Sequence, residues 1–148
     1  MQALEYAGRW LQTNGEAIYY SRPLVKDDGV VTWNDTASSQ VRYTRSKDNS
    51  TIYAIVLAGF GAAPMPSGGK LPLADVTITP GSEVFLLGYE HESNRTLIPI
   101  QWSALADGGQ QGGSGGAVLE VPSDIDQHPA ISDPGMTFVI KGQPTTQR

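Results

Sequence analysis

Residues able to do chemistry are few and scattered along this chain. Its two histidines both sit beside carboxylates, in Glu90-His91-Glu92 and Asp124-Ile125-Asp126-Gln127-His128. Imidazole and carboxylate together can hold a metal ion or move a proton. Neither run has the loop glycine and closing glutamate of a calcium loop, nor two histidines one helical turn apart. Both read as solvated loops, and no metal or cofactor is expected. The absence of cysteine removes thiol nucleophiles, thiolate metal sites and disulfides. The glycine-rich run Gly108 to Gly116 lacks the Lys-Ser/Thr that a phosphate-cradling loop needs. Within it, Gly113-Ser114-Gly115 lacks the spacing and the strand-to-helix setting of a nucleophile elbow.

Binding chemistry is better represented. An aromatic plane can stack on the apolar C–H face of a sugar, and Trp33, Tyr89 and Trp102 are the candidate carbohydrate platform. The competing role for each is core or rim packing. Three Asn-x-Ser/Thr sequons open at Asn34, Asn49 and Asn94, all in expected turns.

The elements that must carry these residues are short. A chain of 148 residues is one domain by length. It falls well below the ~250 residues of a (β/α)₈ barrel. With 17 glycines and 10 prolines it is built for turns. No apolar run reaches the length of a membrane-spanning helix. A net charge of −5 argues against nucleic acid as a partner. Residues 1–6 lack the basic and apolar regions of an export signal.

Spacing predicts a helix over 2–13, with Ala3, Leu4, Ala7, Trp10 and Leu11 on one face. Asn14-Gly15 stops it, with Gly15 suited to a left-handed cap. Residues 16–20 add one further turn, and Arg22-Pro23 enforces extended backbone. Period-two patterning then marks eight short strands, at 30–33, 40–45, 51–57, 74–79, 83–87, 97–102, 116–121 and 136–141. The second and third form a hairpin, the fifth is apolar on both faces, and Pro99 marks the sixth as an edge or a bulge. Gly59 to Gly69 reads as a loop, Gly108 to Gly116 as a floppy hairpin loop, and 143–148 as a frayed tail. The expected fold is an all-β antiparallel sandwich of about eight strands with one N-terminal helix. Residues 1–23 would be helix and connector, and 24–148 the sandwich.

The stretch Trp10-Leu11-Gln12-Thr13-Asn14-Gly15-Glu16-Ala17-Ile18-Tyr19-Tyr20-Ser21-Arg22-Pro23 resembles the α-L-fucosidases of glycoside hydrolase family 29. In that family such a stretch closes the catalytic barrel and leads into a C-terminal β-sandwich. Val41-Arg42-Tyr43-Thr44 before Thr51-Ile52-Tyr53-Ala54-Ile55-Val56 resembles a family hairpin. Val84-Phe85-Leu86-Leu87-Gly88 and Phe138-Val139-Ile140-Lys141-Gly142 resemble later family strands. The glycine-rich run Gly108 to Gly116 departs from the family pattern.

The resemblance implies a retaining glycoside hydrolase whose two catalytic carboxylates sit on the barrel, upstream of every residue here. No residue of this chain inherits a catalytic role. Glu16 lies inside the motif and reads as a local partner, with Arg22 the expected counterion. The leading expectation is a non-catalytic C-terminal domain that supports a catalytic barrel and contacts carbohydrate. The alternatives are part of an active fucosidase with its barrel on another segment, and a free-standing carbohydrate- or protein-binding module. The expected interface is Leu4, Tyr6, Ala7, Trp10 and Leu11, with Tyr19 adding apolar area. It would face the sandwich, a barrel domain or a second copy in a homodimer. Residues 2–20 should be ordered and Trp10 largely buried, because an isolated helix of about 12 residues is marginal in water.

Overall fold

The strand Thr51–Leu57 is buried along almost its whole length, on both faces, and the chain itself supplies both coverings. This is seen in a computed structural model that describes residues 2–26, 29–31, 33–35, 40–57, 69–73, 76–90, 94–104, 116–121, 135–142 and 145–146. Helix α1 (Gln2–Asn14) and the single turn α2 (Glu16–Tyr19) come first. The strands β1 (Ser21–Lys26), β2 (Gly29–Val31), β3 (Trp33–Asp35), β4 (Gln40–Ser46) and β5 (Thr51–Leu57) follow. After them come β6 (Lys70–Leu73), β7 (Val76–Thr77), β8 (Glu83–Glu90), β9 (Asn94–Pro99) and β10 (Trp102–Ala104). The last are β11 (Ala117–Glu120), β12 (Gly135–Lys141) and β13 (Thr145–Thr146). The fold is an all-β antiparallel sandwich with a helical N-terminus.

The large sheet runs β2-β1-β4-β5-β12-β8-β9, with β3 paired to β4. Its registers place Val41 opposite Val56, Tyr43 opposite Ala54, and Phe138 opposite both Ala54 and Leu86. Paired residues share a face. These side chains therefore form one apolar layer, which packs on Leu71, Leu73, Ala117 and Leu119 of the small sheet β10-β11-β6. The other face of the large sheet carries Tyr53, Ile55, Leu87 and Val139. Ala17 of α2 packs on them, with the half-buried Trp10, Leu57 and Phe85 around it. Three layers result: helices, large sheet, small sheet. The alternation in β8 follows from this, since Val84 and Leu86 face the small sheet while Phe85 and Leu87 face the helices.

Several expectations change in detail. The described residues hold thirteen strands where eight were expected. The strand expected over 97–102 is two strands in different sheets. Pro99 ends β9 at the edge of the large sheet, the Ile100 amide bonds the Val84 carbonyl at 2.9 Å, and β10 opens in the small sheet. Proline cannot donate to a ladder, so it sits where the chain leaves one. β6 falls between expected elements because Pro72 breaks its alternation, although Leu71 and Leu73 are buried beside β11. β1 includes Ser21 to Pro23, residues expected as connector, and switches neighbours along its length. Ser21 to Pro23 pair with β4, and Leu24 to Lys26 pair with β2. The tail is tethered, since Thr145 and Thr146 pair with Thr77 and Val76. Gly142, at φ 125°, lies against Ser82 where a Cβ would not fit.

Residues 59–68, 108–115 and 124–128, together with His91 and Glu92, lie outside the described residues.

Candidate functional site

The helical layer carries the features that point outward. α1 ends with Asn14 buried, its Nδ2 donating to the Trp10 carbonyl at 3.1 Å. The Gly15 amide donates to the Leu11 carbonyl at 2.8 Å and starts α2 at once. Gly15 does not take the left-handed conformation expected of it: φ is −60° and ψ −27°, ordinary helical values. Glycine is required here by space. A Cβ would press on the Leu11 carbonyl and stand 2.8 Å from the Tyr19 ring.

Two hydroxyls fasten this corner to the large sheet. Ser21 Oγ donates to the Ala17 carbonyl at 2.7 Å, and Thr44 Oγ1 donates to the same carbonyl at 2.6 Å. Ser21 Oγ also reaches the Ile18 carbonyl at 3.1 Å. A helix terminus leaves its last carbonyls without intrahelical partners, and strands β1 and β4 satisfy them here.

The side of this layer turned from the sheet is apolar in several places. Leu4 is 77% exposed, Tyr19 61% and Tyr20 72%, and Ile18 is exposed beside them. Of the expected interface residues, Trp10 and Leu11 are half-buried, Ala7 is exposed with Leu4, and the Tyr6 side chain is not described. The helix face is therefore divided. Its C-terminal part seats on the sheet through Trp10, and its N-terminal part faces away. Residues 2–20 are helical or turn throughout, as their packing requires.

The candidate sugar platform is not gathered at one place. Trp102 is half-buried against the main core, and its indole Nε1 donates to the Ser82 carbonyl at 3.3 Å. Trp33 lies in β3 at one side of the large sheet, and Tyr89 lies in β8 toward the other. The side chains of Trp33 and Tyr89 are not described. No group of three or more metal-binding side chains occurs among the described residues. No described helix is long and apolar enough to cross a membrane.

One polar cluster escaped the sequence reading. It lies at the turn 47–50 between β4 and β5. Asp48 Oδ1 accepts from Ser46 Oγ at 2.6 Å, from the Ser50 amide at 3.0 Å and from Ser50 Oγ at 2.8 Å. The Ser46 hydroxyl and then the two Ser50 donors hold the Asp48 carboxyl at about 2, below its ordinary 3.8. Arg22, expected to meet Glu16, donates instead to Asn49 Oδ1. Arg45 donates to the Asn49 carbonyl through Nη2 at 2.9 Å and Nε at 3.3 Å. Burial, and then the neighbouring Arg22 charge, lower the Arg45 pKa from its ordinary value. Serine, aspartate and asparagine in a turn signal side-chain-to-backbone bonds, but the two arginines join only through the β1–β4 register.

No family profile matches the chain. An α-L-fucosidase of Branchiostoma floridae is 33% identical over 108 residues, which cover 73% of this chain and 19% of that protein. The plasma α-L-fucosidase of Homo sapiens is 32% identical over 112 residues, covering 73% and 19%. That of Rattus norvegicus is 33% identical over 107 residues, covering 70% and 18%. The chain thus spans about a fifth of the length of the curated relatives it matches, in their C-terminal region. By sequence the chain is a homologue of the α-L-fucosidases over their C-terminal region.

Proposed function

We propose that this sandwich is a non-catalytic part of an α-L-fucosidase-type polypeptide and that it docks the rest of that polypeptide on its helical layer. One observation carries the reading. Ile18, Tyr19 and Tyr20 are three consecutive exposed apolar or aromatic residues on a turn pinned to the sheet, with Leu4 exposed on the preceding helix. Burying a large side chain is worth about 1.5–3 kcal/mol, so such a surface gains from a cover. The relatives supply the candidate: about four-fifths of their length lies outside the match. The resemblance puts both catalytic carboxylates on a barrel upstream of these residues, so in this reading the chain's share of the work is support. Two relatives are plasma proteins by name, and an exported location is part of this reading.

The test is a chimera in which this chain replaces the matching region of the Branchiostoma floridae enzyme. Introducing Ile18→Asp with Tyr20→Asp should lower the temperature of activity loss, while Leu97→Asp, on the exposed edge strand, should not. Equal heat resistance of the double variant and its parent would refute docking through this surface.

A further inference from the structure

We propose that Asn49 accepts an N-linked oligosaccharide, and that the sugar chain grows away from the helix-covered face. This rests on the exported location proposed above. Asn49-Ser50-Thr51 is an Asn-x-Thr sequon, and it is the sequon whose asparagine side chain is described. Lys47 to Ser50 are all exposed. Asn49 has φ 65°, a left-handed conformation that asparagine tolerates, and its amide donates to the Ser46 carbonyl at 3.0 Å. Its Oδ1 accepts from Arg22 and its main-chain carbonyl accepts from Arg45. Both of these contacts use acceptors, so they leave the amide nitrogen Nδ2 to react.

The chemistry fits that division. The new bond joins Nδ2 to the anomeric carbon of an oligosaccharide carried on a diphospholipid. The bond from that carbon to the phosphate oxygen breaks, the diphosphate leaves with the electron pair, and Nδ2 gives up one proton. The product keeps Oδ1 and one N–H, so the Arg22 contact survives modification. Thr51, whose hydroxyl completes the sequon, is buried at the start of β5, and its amide is held by Ser46 Oγ at 3.0 Å. Transfer therefore belongs to the nascent chain, before the β4–β5 hairpin closes.

The register places the two arginines that hold Asn49 on one face. Arg45 pairs with Ile52, a residue of the core between the sheets, and Arg22 pairs with Arg45. Paired residues share a face, so both arginines leave the large sheet on the side of the small sheet. The helices cover the opposite side. In this proposal the glycan extends from the small-sheet side and not from the helical face that carries Ile18 and Tyr19.

The test is secretion of the full chain from a eukaryotic cell behind an exogenous leader. Peptide-N-glycosidase digestion in ¹⁸O water and peptide mapping should find position 49 converted to labelled aspartate. Asn49→Gln should remove one glycan step on a gel. Asn49→Asp, which keeps an acceptor for Arg22, should remove the same step with an unchanged circular dichroism spectrum. Thr51→Ser should retain it. Secreted, folded chain in which Asn49 is wholly unmodified would overturn the proposal. Because the leader is supplied, this result is separate from the natural location. Retention of the natural protein inside its source cells, with Asn49 filled in the leader experiment, would refute the exported location and not the acceptor.

Discussion

Thr44 Oγ1 donates to the Ala17 carbonyl at 2.6 Å across 27 residues of chain, and so ties the last turn of the helical layer to the large sheet. The helical layer has little intrinsic stability of its own, because a helix of this length is marginal without tertiary packing. Thr44→Val should destabilise the chain by about 1 kcal/mol, read as a lower urea midpoint at unchanged slope. Adding Ser21→Ala, which removes the other hydroxyl on that carbonyl, should cost more than the two single effects together.

Gly15→Ala meets the Leu11 carbonyl and the Tyr19 ring in a corner with ordinary helical backbone. The better helix propensity of alanine should not rescue it. A loss of about 1–3 kcal/mol is expected from overpacking, with a shift in tryptophan fluorescence as Trp10 moves.

Trp10 is the main anchor of α1 on the large sheet, against a cluster that includes Ile55, Leu87 and Val139. Trp10→Glu should cost about 1–2 kcal/mol, a part of the transfer value of a large apolar side chain, because Trp10 is half-buried. Amide exchange should accelerate across Gln2–Asn14 before it does in β5 or β12. An unchanged midpoint would mean that the helix does not seat here.

The Asp48 carboxyl, held at about 2 by Ser46 and Ser50, should make stability depend on pH at the turn. Its folded pKa lies below its unfolded one. The stabilisation is then full above about pH 4 and lost as pH falls through about 2. Asp48→Asn should lower the thermal midpoint at pH 7, and the gap should close toward pH 2. A gap that stays constant across that range would contradict the assignment.

The sandwich was legible in the sequence because strands such as β4 and β11 alternate on a period of two. β5 and β12 are instead runs of β-branched, aromatic and apolar residues buried on both faces. The two-sided burial of β8 was legible because its apolar residues do not alternate. Both sheets lose their clearest signal at proline. Pro72 hides β6, and Pro99 disguises a change of sheet as one strand, because a residue without an amide proton reads as a break wherever it stands. The helix was predicted and its seating was half seen. Periodicity groups Leu4, Ala7, Trp10 and Leu11, but only the position of the sheet decides that Trp10 is covered while Leu4 and Ala7 are not. Gly15 was identified as important for the wrong reason, since conformation is visible in a sequence pattern and a close approach to Tyr19 is not. The Arg22–Asn49 contact joins residues 27 apart and depends on the β1–β4 register, which local spacing does not encode.

The most direct measurement is hydrolysis of an aryl α-L-fucoside by the purified chain alone, with its fold checked by circular dichroism. With the catalytic carboxylates on a barrel outside this sandwich, the aryl group should be released at the buffer rate. Turnover that follows the chain through successive columns, and disappears when one of its own acidic residues is replaced, would contradict that expectation.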